Sequence, residues 1–493
     1  MYLGIDIGTS SAKAVLMDEA DRIVDAADAP IAIARPQPLW SEQDPQDWWK
    51  AVCQALDSLA SRQPAALRSV QSIGLSGQML GVTLLDDADL PIRPTLLWED
   101  GRASAECALL EQRIPRFAEI VGCRAMPGFS APKLLWLARH EPAALGRARR
   151  VLLAKDYVRL LLTGEAASDR ADSSATLLMD TRRGDWHDDI VRACGIGHAV
   201  LPRLVESAEV AGRLRDTLAS RWHMPRGTPV VGGAGDNMCA GIGVGAVGSG
   251  AAYVSLGTSG VYFVANDSFL AAQGGGMHTH RHAVPGLYAQ HAVVLSAAAA
   301  LVWAARLVRA PDVAALVAEV ESAQLAPEDT PVFTPYLAGE RTPHDDPGLT
   351  ASFSGMTHRC GPLHLVQAVM EGVAMALADG QDALLGSGAR IEHVALTGGG
   401  ARSRLWARLV AAALGVPIAL ASPHTGPALG AARLARQGVG GPLIADRWDG
   451  DKGHVVPVEA AFRDQLQRKR PLYASHLGLA RHGLPDREPP ARS

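Results

Sequence analysis

The chain has 493 residues, with 47 lysines and arginines against 51 aspartates and glutamates, a formal net charge of −4. At 48% apolar and 20% charged, with no long run of one sign, it offers no broad electrostatic footprint for nucleic acid or an anionic membrane surface. Neither is expected as a partner, and the length leaves room for more than one core.

The N-terminal residues Met1 to Asp6 read at once as a strand and lack a basic region, an apolar stretch and a small-residue cleavage site, so a cytoplasmic protein is expected. Residues 3–17 form an apolar strand, a Gly8-Thr9-Ser10 turn and a returning apolar strand. Asp44-Pro45 opens a helix over 46–61. Val70 to Gly81 is a strand running into a glycine turn, and 132–139 has helical spacing. In 230–237 an apolar strand is followed by glycines and then by Asp236 and Asn237, which places a carboxylate at a strand end. Residues 252–264 repeat the opening hairpin, with Gly257, Thr258 and Ser259 at its tip. His278, His280 and His282 alternate and share one strand face, read as a polar face in preference to a metal site. Residues 292–305 are strongly apolar but shorter than the ~18 needed to span a bilayer, and read as a buried helix. Helical spacing returns over 364–385 and 403–414, with a strand and the Gly398-Gly399-Gly400-Ala401 turn between them. The proline-rich end from Asp486 reads as frayed.

Strands alternating with helices indicate an α/β fold. The two hairpins lie some 250 positions apart, each followed by a strand and glycine turn, so a whole domain is duplicated rather than a short repeat. The expected domains are 1–245 and 246–493, facing each other across a central cleft, with the last helix packing back on the first domain. Each Gly-Thr-Ser tip is a candidate phosphate nest, since glycine lets backbone amides converge. Asp6 is either an Mg²⁺ ligand, direct or through water, or a turn cap, and Lys13 either an exposed strand lysine or a phosphate partner. Asp236 is a candidate proton acceptor for a hydroxyl nucleophile, against an N-cap or Asx turn.

Several chemistries find no support. The run Gly243 to Gly248 matches G-x-G-x-x-G without its strand and ribose acid, and reads as junction glycines. None of the six lysines precedes Ser or Thr, so there is no Walker A loop. H-E-x-x-H and G-x-S-x-G are absent, and the six cysteines contain no C-x-x-C pair, which fits reduced thiols.

Taken together these residues resemble the FGGY carbohydrate kinases, within the actin-like (ribonuclease H-like) ATPase superfold, over essentially the whole chain. Gly4 to Lys13 resembles the first phosphate motif, and Ser255 to Ser259 the second. Gly128 to Leu137 and Ala351 to Gly372 resemble the two family signatures, and Gly398 to Ser403 with Trp406 resembles the adenosine motif. Arg35 to Pro45, Leu97 to Arg102, Pro335 to Pro343 and Gly426 to Ala432 are similar to the branch that phosphorylates D-xylulose. The resemblance implies ATP and Mg²⁺ as cofactors and a ketose substrate, with other pentuloses, deoxypentuloses or polyols as alternatives; a homodimer is consistent with it. A switch-type actin-like ATPase or an inactive sugar-binding regulator is the rival reading. By the resemblance Asp236 is the base, Asp6 organises Mg²⁺, and Gln78, Met79, Leu80, Asn237, Trp98, Asp100 and Arg102 line the ketose site. Gly8, Thr9, Ser10, Lys13, Gly257, Thr258, Gly399, Gly400, Ala401 and Ser403 would hold the nucleotide. Two positions depart from the branch: Leu80 stands where histidine is usual and Glu99 where asparagine is, which opens the question of a deoxy-ketose.

Overall fold

A computed structural model describes residues 1–272, 274–325, 327–422, 425–444 and 455–480; the end from Asp486 lies outside them. Two seven-stranded sheets dominate the described residues. In the first, Tyr2–Ile7 pairs antiparallel with Ser11–Met17 and parallel with Ser72–Gly77. In the second, Ala251–Leu256 pairs antiparallel with Gly260–Asn266 and parallel with His393–Thr397. The same three-strand plan thus occurs twice, as the repeated hairpins imply, and the parallel pairs require the helical crossovers seen between them.

The helices arise where spacing and caps predict. Pro45–Arg62 starts behind Asp44, whose carboxylate accepts the Gln46 amide hydrogen at 2.9 Å, and buries Trp48, Val52, Leu56 and Leu59 on the first sheet. Pro362–Gly386 and Arg404–Leu414 cover the second sheet, and Trp406 Nε1 donates to the Met370 carbonyl between them at 3.1 Å. No helix among the described residues is long and apolar enough to cross a membrane.

Two expectations are corrected. Residues 292–305 are not one helix: Ala292 to Val294 end the strand Tyr288–Val294, and the helix is Ala298–Leu307. Apolar runs of this length do not separate a buried strand from a buried helix. The helix that returns to the first sheet is also not the last one. Ala460–Ala480 packs on Arg404–Leu414 and the strand Val332–Thr334, whereas Pro427–Gly438 lies against Tyr2–Ile7, Ser72–Gly77 and the helix Asp236–Gly243. Its approach is so close that a Cβ on Gly4 would stand 1.9 Å from the Ala428 carbonyl oxygen, and one on Gly74 1.9 Å from that of Ala431. This small-residue face seats the helix on the first sheet and beside the helix that Asp236 opens.

Candidate active site

The first sheet delivers two carboxylates to one point. Asp6 ends the Tyr2–Ile7 strand, and Asp236 opens the helix Asp236–Gly243 directly after the short strand Ala234–Gly235. Gly235 is needed there, because a Cβ would press within 2.6 Å of Met79. Both acids are partly buried. Asp6 is pushed up to about 6, chiefly by desolvation, and Asp236 up to about 7 by desolvation and by the neighbouring Asp6 charge. Asp6 Oδ1 is buried without a hydrogen-bond partner, while Asp236 Oδ1 accepts the Asn237 amide hydrogen at 2.7 Å.

Asp236 and Asn237 stand in the wall between two cavities. The larger, about 660 Å³, is lined on its far side by Ser255, Gly398, Gly399, Ala401, Arg402 and the start of the helix Pro427–Gly438. The smaller, about 180 Å³, is lined by Met79, Leu80, Trp98, Ser259, Arg341 and histidines of the second sheet. A nucleotide-sized space and a space for a much smaller ligand therefore meet at one carboxylate.

The residues expected in the sugar pocket divide into two groups. Met79, Leu80, Trp98 and Asn237 line it. Gln78 is spent on its neighbours, accepting from the Thr9 hydroxyl at 3.2 Å and donating to Gln43 at 2.8 Å. Asp100 and Arg102 do not line the pocket. Asp100 accepts the Ser41 amide hydrogen and pairs with Arg102, whose guanidinium also binds Glu42 at 2.7 Å and stacks 3.5 Å from the Trp40 ring. Glu99 is likewise occupied, by Ser41 at 2.6 Å and Arg35 at 2.9 Å. The Trp-Glu-Asp-Gly-Arg motif thus frames Trp98 and leaves its charges in a structural network.

Leu80 adopts the left-handed backbone, φ 69°, unusual for a branched residue. Its carbonyl oxygen accepts from Ser130 and from Lys133, both at 2.9 Å, and Lys133 Nζ also reaches the Leu97 carbonyl at 2.7 Å. Burial pushes the Lys133 ammonium down to about 7. The Gly128 to Leu137 motif therefore positions the loops carrying Leu80 and Trp98.

The two Gly-Thr-Ser tips are less open than nests require. The Gly8 amide donates to Ser11 at 3.0 Å, and the Thr9 hydroxyl accepts from Trp98 at 3.1 Å. Ser10 and Lys13 are exposed, Lys13 lying opposite Asp6 across the hairpin. The Gly257 and Thr258 carbonyls accept amide hydrogens from Ala297 to Ala299, at the start of the next helix, while the flanking Ser255 and Ser259 line the large and small cavities. Of the adenosine motif, Gly399 and Ala401 line the large cavity. Gly400 instead packs against Leu256 and Trp406, and Ser403 caps the helix Arg404–Leu414 while donating to Glu321 at 2.7 Å.

Sequence reasoning missed Phe129, Ser259, Arg341 and the histidines as pocket residues. The alternation of His278 and His280 was a usable signal, but the strand His278–Arg281 is turned inward and the histidines are buried. No cluster of three or more metal-binding side chains occurs among the described residues.

The chain is similar to known proteins over most of its length. The model of the N-terminal domain of the FGGY family of carbohydrate kinases matches residues 1–243, and that of its C-terminal domain residues 252–437. A xylulose kinase of Escherichia coli (strain K12) is 45% identical over 438 residues, 88% of this chain and 90% of that one. One of Klebsiella pneumoniae is 43% identical over 99% of this chain and 97% of its own. Among solved structures, a xyloylose kinase from Brucella ovis superposes with a TM-score of 0.91 at 42% identity, covering 97% of this chain and 99% of that one. With both family models matched in order and the two cavities meeting at Asp236, the chain belongs to the FGGY family of carbohydrate kinases.

Proposed function

We propose that this chain transfers the γ-phosphoryl group of ATP to D-xylulose, giving D-xylulose 5-phosphate. The observation that carries the reading is the carboxylate of Asp236 in the wall shared by the large and small cavities, which lets a sugar hydroxyl and a terminal phosphate meet beside one base. The Escherichia coli and Klebsiella pneumoniae relatives, both xylulose kinases, support the choice of sugar.

In this mechanism the ketose occupies the small cavity against Met79, Leu80, Trp98 and Asn237. ATP lies in the large one along Gly398, Gly399 and Ala401, with the hairpin tips at Gly8 to Ser10 and Gly257 to Ser259 toward its phosphates. Ionised Asp236 accepts the proton of the terminal hydroxyl as the new oxygen–phosphorus bond forms and the bond to the bridging oxygen of ADP breaks. A value near 7 suits this role, because the group is both ionised in part and basic enough to take the proton. Asp6 fits a magnesium site: its Oδ1 is buried and unpartnered, and magnesium commonly takes one or two carboxylates together with phosphate oxygens. Bound there, the cation would neutralise phosphate charge and offset the repulsion between Asp6 and Asp236. Lys133 holds the sugar loops.

We place the enzyme in the cytoplasm, where its six free thiols stay reduced, and carry a homodimer as a proposal to be read by sedimentation. The test of function is coupled ADP release with Mg²⁺ and ATP over D-xylulose, 1-deoxy-D-xylulose, D- and L-ribulose, xylitol and glycerol. Highest kcat/KM for D-xylulose is expected. A different preferred sugar would overturn the substrate, and ADP release indifferent to every sugar would favour a switch-type ATPase.

A further inference from the structure

Three imidazoles form one wall of the small cavity. His278 and His280 alternate along the strand His278–Arg281, and His291 stands directly across from His278 on the strand Tyr288–Val294. Their ring centroids form a triangle with sides of 5.9, 6.4 and 5.6 Å. All three line the cavity with Asp236, Asn237 and Leu80, and none is more than 6% exposed. Phe129 packs edge-on against His278 at 5.3 Å and Phe263 against His291 at 5.1 Å, which fixes the ring planes.

Each ring leaves one buried nitrogen without a hydrogen-bond partner: Nε2 of His278, Nδ1 of His280 and Nε2 of His291. Their neighbour His282 is the internal control. It does not line the cavity, and both its nitrogens are engaged, by the Ala246 carbonyl at 3.0 Å and the Val284 amide at 2.9 Å. Burial holds the three rings neutral, and Arg341 opposes charge on His278 further. A neutral imidazole has one donor and one acceptor nitrogen, a match for hydroxyls, which do both. Buried polar atoms left unmatched are costly, so a ligand that satisfies them is favoured and one lacking the matching hydroxyl is rejected. Leu80, which also lines the cavity, has only an aliphatic side chain and cannot hydrogen-bond a hydroxyl.

We propose that His278, His280 and His291 are specificity-determining residues that hydrogen-bond the hydroxyls of a neutral ketose on the part of its chain away from the phosphorylated end. The inference rests on the small cavity being the acceptor-sugar site. It assigns to the histidine wall the discrimination that Leu80 cannot supply.

The test pairs an apolar with a conservative variant at two of the three rings. His291→Leu and His280→Leu remove the hydrogen bond, whereas His291→Gln and His280→Asn return a polar group near the same nitrogen. Binding of D-xylulose, 1-deoxy-D-xylulose and xylitol is followed by isothermal titration calorimetry alongside kcat and KM for sugar and ATP. Expected is an approximately tenfold rise in D-xylulose KM and Kd in the leucine variants. The preference for D-xylulose over its 1-deoxy analogue should shrink, kcat and the ATP KM should change little, and the amide variants should recover most of the loss. Unchanged sugar preference in the folded leucine variants would overturn the proposal, as would equal losses in leucine and amide variants. Sugar binding weakened in the leucine variants of a protein that phosphorylates none of these sugars would support the wall and overturn the kinase reading; a wild type that binds none of them would overturn the wall itself.

Discussion

The opening hairpin and its copy 250 residues later share a strand, a Gly-Thr-Ser tip and a parallel neighbour, yet they present different side chains. The position occupied by Asp6 in the first is occupied by Ser255 in the second. The first hairpin gives a buried carboxylate with a free oxygen beside Asp236, and its Thr9 is tied to Gln78 and Trp98. The second gives a neutral hydroxyl to the large cavity and turns its tip carbonyls toward a helix start. One difference within a duplicated frame thus puts a carboxylate at the end of one hairpin and a neutral hydroxyl at the end of the other.

Asp6→Ser copies the second hairpin into the first and breaks the comparison most severely. Phosphorylation is expected to fall by about 10²-fold or more, with the Mg²⁺ dependence of the remainder flattened, as read by steady-state titration of the metal. The same variant shifts the pH profile. In the wild type kcat/KM should fall as pH drops below about 7, where Asp236 becomes protonated. Removing the Asp6 charge favours ionised Asp236, so that limb should move to lower pH; a limb that stays in place would detach Asp236 from it.

A second pair of sites separates catalysis from architecture. Gly74→Ala drives a methyl into the Ala431 carbonyl 1.9 Å away, and calorimetry should show a loss of about 1–3 kcal/mol or more, with kcat of the folded fraction retained. Lys133→Met should raise the sugar KM about tenfold through loss of the Leu80 and Leu97 contacts, leaving the ATP KM near its wild-type value.

The subtlest effect concerns stability. Asp236 has a folded value of about 7 against an ordinary 3.8, so the folded protein holds the proton more tightly and loses stability as pH rises through that window. Asp236→Asn carries no charge, and its melting temperature without nucleotide should exceed that of the wild type at pH 8, the gap closing toward pH 4. Equal melting temperatures at pH 8 would show that the burial of Asp236 carries no such penalty.

Much of the frame was legible because it rests on local rules: the duplicated hairpins and the Asp44-Pro45 helix start each follow from residue type and spacing. Asp236 was legible because glycines before an acid leave it few places to go. Other roles depend on contacts across the chain. The close seat of the helix Pro427–Gly438 on the first sheet is set by Gly4 and Gly74, more than 350 residues away. The fate of Asp100 and Arg102 depends on their contacts with Glu42 and Trp40 of a separate motif, a pairing that neither motif announces. The histidine wall was visible only as alternation, because the direction a strand faces is a property of the sheet that receives it.

The most direct test of the central claim is a single-turnover measurement of D-xylulose phosphorylation by the wild type and Asp236→Asn, with ADP binding to each determined in parallel. Base catalysis at the wall between the cavities predicts a rate lowered by about 10²–10⁴-fold with ADP affinity preserved. A near wild-type rate in Asp236→Asn would contradict it.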